Sequence, residues 1–277
     1  MGAGTDRAVR AGQAAPTGRA PVAVPLDAPD AATALRWARA VAPHVAVLKV
    51  GMELFYREGP AVVAALRAEG LLTDPEADGP DAGGEGAGGT VDAPELFLDL
   101  KLHDIPATVA GAMRSVARLR PRFVTVHAAG GPAMLRAAVE AAQEAAAETG
   151  GAPVSVAGVT VLTSLGDADL AAVGLAGPAL DAARRLARLA VEAGATALVA
   201  SPWEAERLRE EVGNGVTLIT PGVRPAGAER ADQARVATPE WALAAGADLL
   251  VMGRPITGAP DPGAVAAGLA ASLGGLR

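Results

Sequence analysis

The chain has 277 residues, long for one average domain, with 51% hydrophobic residues and only 3% aromatic ones, so its core must rest mainly on Ala, Val and Leu. A formal net charge of −7 gives it no electrostatic reason to gather on nucleic acid, although a local cluster of Arg and Lys can still bind a small phosphorylated molecule. The absence of Cys excludes disulfides, thiolate metal sites and a cysteine nucleophile, and no apolar run approaches the ~18 residues of a membrane helix.

In chain order, residues 1–20 come first, with Arg7, Arg10 and Arg19 against one Asp6. They lack the apolar stretch of a secretory signal. Asp6 stands where a myristoylation site needs Ser or Thr, and Gly and Pro argue against an amphipathic presequence helix. A flexible tail on a cytoplasmic protein is expected.

From residue 21 a rhythm sets in. Apolar runs at 22–27, 45–51, 96–101, 123–129, 154–162, 197–201, 216–222 and 248–253 read as strands. Most are apolar on consecutive positions, as in strands covered on both faces. Between and after them, 30–42, 59–69, 106–118, 131–147, 178–193, 203–211, 238–245 and 262–273 carry helical periodicity. This alternation predicts an α/β protein with one (β/α)8 TIM barrel over 21–277. An open doubly wound sheet is the alternative, but the GxGxxG turn of its dinucleotide-binding version is absent. One segment, 71–94, breaks the rhythm. Rich in Gly, Asp, Glu and Pro, it reads as a solvated insertion on the barrel's N-terminal face.

Polar residues recur at the C-terminal ends of the expected strands: Asp27, Lys49, Asp99 with Lys101, His127, Thr163 with Ser164, Arg224 and Arg254. In a barrel all of these meet at one mouth, where active sites are built. Asp99 and Lys101 are two apart and so point the same way on a strand. With Lys49 and Asp104 they could form a network of alternating sign, which is what allows charges to coexist in a low-dielectric mouth. Taken alone, the "DLK" triplet would read as a salt-bridge network that only closes the barrel top.

The loop after strand seven, "PGVRPAGAERADQARVATP", carries Arg224, Arg230, Gln233 and Arg235, and "MGRPIT" after strand eight carries Gly253 and Arg254. Loops after strands seven and eight are the usual phosphate site of such barrels. Arg presents a planar fork of donors matched to phosphate oxygens.

"FLDLKLHDIPATV" resembles the D-x-K-x-x-D-I-P-x-T signature of the orotidine 5′-phosphate decarboxylases. "PLDAPD", "LKVGMELF", "VTVLTS", the strand-seven loop and "MGRPIT" resemble that family's other segments in the same order. The departures are Ala107, where relatives often carry Asn, and the length of 71–94. The resemblance implies a cofactor-free, metal-free conversion of orotidine 5′-monophosphate to UMP and carbon dioxide in pyrimidine biosynthesis. Lys101 would donate a proton to C6 of the pyrimidine. Asp99 would face the substrate carboxylate and hold Lys101 charged. Asp27 and Lys49 would bind the ribose hydroxyls and complete the charged network, and Thr163 and Ser164 would contact the base. Arg224, Gln233, Gly253 and Arg254 would hold the phosphate. Asp104 and Thr108 would reach into the neighbouring subunit's site, making the enzyme a homodimer.

His103 is out of phase with Asp99 and Lys101 and reads as structural. His127 could line the mouth, and His44 reads as a surface or cap residue. A nucleotide-cofactor motif and a metal-ligand spacing are both absent. Three rival readings stay open. One is a magnesium-dependent sister decarboxylase of 3-keto-L-gulonate 6-phosphate, which generally has an acid at the Lys49 position. Another is a phosphate-binding isomerase or epimerase. The third is an inactive barrel that only binds.

Overall fold

The structure, a computed structural model, describes residues 18–73, 93–225 and 237–274. The readings placed on the tail, on the body of the 71–94 insertion, and on Arg230, Gln233 and Arg235 lie outside these residues.

Each Val- and Leu-rich run becomes a strand because it is buried on both sides. The strands β1 (Ala20–Pro25), β2 (Val45–Gly51), β3 (Glu95–Leu102), β4 (Phe123–His127), β5 (Ser155–Val159), β6 (Ala197–Val199), β7 (Thr217–Pro221) and β8 (Leu249–Val251) pair in chain order. All pairs are parallel and β8 closes onto β1, so the barrel is the one expected and the open sheet is excluded. The strand edges are trimmed. The run expected to reach 129 stops at His127, and Ala128–Gly130 coil into a 3-10 turn. The run expected over 154–162 forms a strand only over Ser155–Val159.

The expected helices appear as α1 (Ala31–Val41), α3 (Ala61–Ala68), α4 (Pro106–Ala117), α5 (Gly131–Thr149), α7 (Ala179–Glu192), α8 (Pro202–Val212), α9 (Pro239–Ala244) and α11 (Pro262–Leu273). Three short helices were not expected: α2 (Met52–Glu58), α6 (Asp167–Ala172) and α10 (Arg254–Thr257). Each buries a single residue (Leu54, Leu170 and Ile256 respectively), too few to print an amphipathic period on the sequence. All three lie in connections that leave the C-terminal ends of strands, so they shape the mouth.

The core has two compartments. The larger lies between the strands and the helices. The smaller takes one residue from every strand: Ala23, Val47, Phe97, Phe123, Ala157, Ala197, Ile219 and Leu249. Side chains from all the strands can meet only inside the barrel, so these positions fix which face of each strand points inward. Phe97 and Phe123 pack edge to face with ring centroids 5.8 Å apart. This layer is the apolar floor beneath the mouth.

At the opposite end, the Thr73 amide donates to the Pro94 carbonyl at 2.9 Å, and the Thr73 hydroxyl donates to the Ala93 carbonyl at 2.9 Å. The two described ends flanking 74–92 are thus tied together beside the start of β3. That is the N-terminal side of the barrel, away from the mouth.

Candidate active site at the mouth of the barrel

Two positions above the floor, the inward column turns polar on three neighbouring strands. Ala23, Val47, Phe97 and Phe123 are followed by Pro25, Lys49, Asp99 and Thr125. Lys49 pairs in register with Phe97, whereas Gly51 pairs with Asp99, so Lys49 starts one pleat lower and its long stem reaches up. Its ammonium lies 3.0 Å from Asp99 Oδ2 and 3.7 Å from Asp27 Oδ1. On the other side of Asp99, Lys101 Nζ donates to Oδ1 at 2.7 Å. The result is a row of alternating charge, Asp27–Lys49–Asp99–Lys101.

Within a single chain the fourth member of the row is Asp27, as the family resemblance implied, and not Asp104, which residue spacing alone had suggested. The Asp104 carboxylate is exposed and accepts the Ile105 amide at 2.6 Å, and it makes no ion pair among the described residues. The local sequence explains this. Ile105 precedes Pro106, which holds it extended, and Pro106 then opens α4 as its first residue. Asp104 is carried outward in the turn, with Thr108 exposed on the first turn of α4.

Lys49 is only 6% exposed, and the two carboxylates beside it offset the cost of burying an ammonium there. Burial pushes the Asp99 carboxyl up, but the Lys49 and Lys101 ammoniums outweigh burial and hold it below its usual range. Asp99 is therefore a fixed anion between two cations. Lys101 is the more open ammonium, with 24% of its side chain exposed toward the mouth against 8% for Lys49. The row of four thus sums to zero formal charge and turns one ammonium, that of Lys101, toward whatever enters.

Two residues of this site were missed by sequence reasoning. Gly51 is the first: a Cβ there would fall 2.6 Å from Asp27 Oδ1 and 3.0 Å from Lys49 Nζ. The glycine leaves room for the pair as it stands, and a larger residue would make the Asp27 carboxylate shift. The signal was present, since Gly51 lies two residues past Lys49 on the same inward face. Thr125 is the second. It is fully buried, and its hydroxyl donates to Asp99 Oδ1 at 3.1 Å while accepting the Lys101 amide at 2.8 Å.

His127 occupies the next inward position on β4, with its ring centroid 5.2 Å from that of His103. Burial, then the neighbouring His103 and Lys101, push its pKa down, so it is neutral at pH 7. His103 itself is exposed and pairs with that ring. Thr163 and Ser164 lie exposed in the loop after β5. Arg224 is 7% exposed just past β7, its amide bonded to the Ala237 carbonyl at 3.0 Å, and Gly253 and the exposed Arg254 follow β8. A cavity of about 500 Å³ lined by Glu95, Arg120 and Arg122 belongs to the strand-start end and does not touch this network. Among the described residues, no three His, Asp or Glu side chains converge as metal ligands would.

The sequence model of the orotidine 5′-phosphate decarboxylase / HUMPS family matches residues 20–73 and 92–269, leaving out the segment between. The chain belongs to this family. An orotidine 5′-phosphate decarboxylase of Frankia casuarinae is 67% identical over 93% of this chain and 89% of its own length. One of Thermobifida fusca is 65% identical over 92% of this chain and 96% of its own. Among solved structures, the orotidine 5′-phosphate decarboxylase of Lactobacillus acidophilus superposes with a TM-score of 0.73 at 31% identity, covering 92% of this chain and 99% of that one. The family model covers all four charges of the row, along with Gly51 and Thr125.

Proposed function

We propose that this chain removes carbon dioxide from orotidine 5′-phosphate to give UMP, with Lys101 as the proton donor. Its membership of the family and its relatives at 65–67% identity make it an orotidine 5′-phosphate decarboxylase, a carboxy-lyase of pyrimidine biosynthesis. The assignment of Lys101 is carried by one observation: its ammonium is held 2.7 Å from an Asp99 carboxylate that two cations keep ionised.

The chemistry asks for what this row supplies. Loss of carbon dioxide leaves an electron pair on C6 that the pyrimidine ring cannot delocalise. A preorganised ammonium beside that carbon stabilises the charge as it forms and then donates the proton. The substrate carboxylate would sit against Asp99. Two like charges about 4 Å apart repel by roughly 4 kcal/mol at an effective dielectric near 20, and departure of carbon dioxide relieves that repulsion. Asp27 and Lys49 are assigned to the ribose hydroxyls, and Thr163 and Ser164 to the base. Arg224, Gln233, Gly253 and Arg254 are assigned to the phosphate. Binding energy from the remote phosphate can then be spent on orienting the base. The reaction so written uses no cofactor or metal. Lys49 favours it over the gulonate-phosphate reading, which expects an acid there.

Asp104 and Thr108 are assigned to the neighbouring subunit's site. Their exposure supports this, as does the apolar surface nearby: Ile105 is 65% exposed and Tyr56 74%. A second copy of the chain would cover both.

Orotidine 5′-phosphate turnover, followed by the loss of ultraviolet absorbance with EDTA present, tests the reaction. Metal-independent turnover is expected, and a folded protein that leaves the substrate intact contradicts the proposal. Mixing inactive Lys101→Ala with inactive Asp104→Asn tests the shared site. Random exchange should restore about a quarter of wild-type activity, because half the dimers are mixed and each holds one intact site. No recovery on mixing would confine each site to one chain.

A further inference from the structure

We infer that Thr125 is the positioning residue that aims the Lys101 ammonium, acting through the backbone of β3 as well as through Asp99. The inference rests on the decarboxylase reading and adds a residue that touches neither substrate nor product.

The sheet is irregular beside Lys101. Leu98 pairs with Val124 and Leu102 with Val126, so β3 takes four residue steps where β4 takes two. The excess is a bulge spanning residues 99–101, and bulges re-aim side chains. Within it Lys101 adopts φ +49°, a left-handed conformation that a residue with a Cβ rarely takes. A regular strand would have pointed Asp99 and Lys101 alike but held their Cβ atoms a full pleat apart. The bulge instead folds the Lys101 stem back over Asp99, where Nζ reaches Oδ1 at 2.7 Å.

Something must hold so unfavourable a backbone in place. The regular ladder does not, because the bulge interrupts it. The Thr125 hydroxyl takes over, accepting the Lys101 amide at 2.8 Å and donating to Asp99 Oδ1 at 3.1 Å. One hydroxyl therefore ties the backbone of the proton donor to the carboxylate that the same donor grips. Thr125 is itself immobile: fully buried, β-branched and in mid-strand, it has little rotamer freedom. It stands two residues above Phe123 of the packed floor, so it transmits a fixed reference from the core to the reacting ammonium.

Thr125→Val keeps the shape and deletes both hydrogen bonds. Thr125→Ala deletes them without adding a methyl group, which separates loss of the hydroxyl from overpacking, and Thr125→Ser restores the hydroxyl. Steady-state turnover of orotidine 5′-phosphate and the thermal midpoint are measured for all of them. A misplaced donor should cost kcat about 100-fold in the Val and Ala variants, with KM within about threefold, because binding is assigned to other strands and loops. Thr125→Ser should return kcat to within about threefold of wild type. A purely structural role would lower the thermal midpoint and the fraction of active enzyme, while Ser and Val behaved alike. The inference is overturned if folded Val and Ala variants keep wild-type kcat, if they raise KM alone, or if Ser fails to rescue. An inactive wild type would end the decarboxylase reading and this inference together. An active wild type with undiminished variants ends this inference alone.

Discussion

Going round the mouth from β1 to β4, the inward side chains above the apolar floor are Pro25, Lys49, Asp99 and Thr125, with Asp27, Lys101 and His127 above them. From β5 to β8 the corresponding positions are Val159, Val199, Pro221 and Val251, and Val199 and Val251 pack on the floor itself. Above the floor, the inward column on that second side is apolar, and the polar groups assigned to the substrate, Thr163, Ser164, Arg224 and Arg254, sit in the loops beyond it. The two halves solve different problems. Lys49 and Asp99, which face one another at 3.0 Å, are mounted on paired strands where register fixes them, and the β3 bulge brings Lys101 onto Asp99. Groups assigned to grip a substrate's outer parts sit on loops, which tolerate adjustment. The apolar wall between keeps the dielectric low beside the charged row and strengthens every interaction in it.

The largest effect is expected at the centre of the charged half. Asp99→Asn leaves two ammoniums facing each other, one of them buried. Turnover should fall by at least ~10³-fold, and urea unfolding should show a loss of about 3–5 kcal/mol. A variant with near-normal stability would mean the row is not electrostatically closed. Gly51→Ala comes next. The added methyl must push Asp27 off Lys49, and turnover should drop roughly 10- to 100-fold while the strand survives. Unchanged kinetics would show that the Asp27–Lys49 pair is dispensable.

On the quiet half the effects should fall on stability. Glu204 caps the start of α8 just beyond β6, accepting the Ser201 amide at 3.0 Å. Burial pushes its pKa up to about 7 from 4.5, against the pull of the Ser201 amide. Between those values the folded state holds more protons than the unfolded chain. Stability therefore falls as pH rises from about 4.5 to 7 and is flat above, a loss on the order of 3 kcal/mol from this group. Glu204→Gln should remove that slope and leave turnover unchanged, which denaturant midpoints at pH 5 and pH 8 would check. Smallest of all, Val199→Ala should cost about 1 kcal/mol of stability and move kcat less than about threefold. A large kinetic effect there would erase the distinction between the halves.

The barrel was legible because its strands and main helices each repeat one strong signal, apolar runs against helical periods. What the sequence hid were the short helices at the mouth, since α2, α6 and α10 each bury one residue and have no period to show. The charged row was legible by type and spacing except for its fourth member. Spacing alone suggested Asp104, which is near Lys101 in sequence, and only the family resemblance pointed to Asp27. Asp27 takes that place because β1 neighbours β2 in the closed barrel. Thr125 and Gly51 were missed for a different reason. Thr125 matters through a bulge, which residue type does not reveal. Gly51 matters through a steric gap, and a glycine two residues past Lys49 takes on that meaning only once Asp27 is placed beside it.

The central claim is that the β1–β4 half is the reaction centre, with Lys101 donating the proton. It is tested most directly by measuring, on Lys101→Ala and wild type together, both orotidine 5′-phosphate turnover and UMP affinity. The account predicts a fall in kcat of ~10³-fold or more with UMP affinity within about tenfold. Turnover that survives in a folded Lys101→Ala enzyme would contradict it.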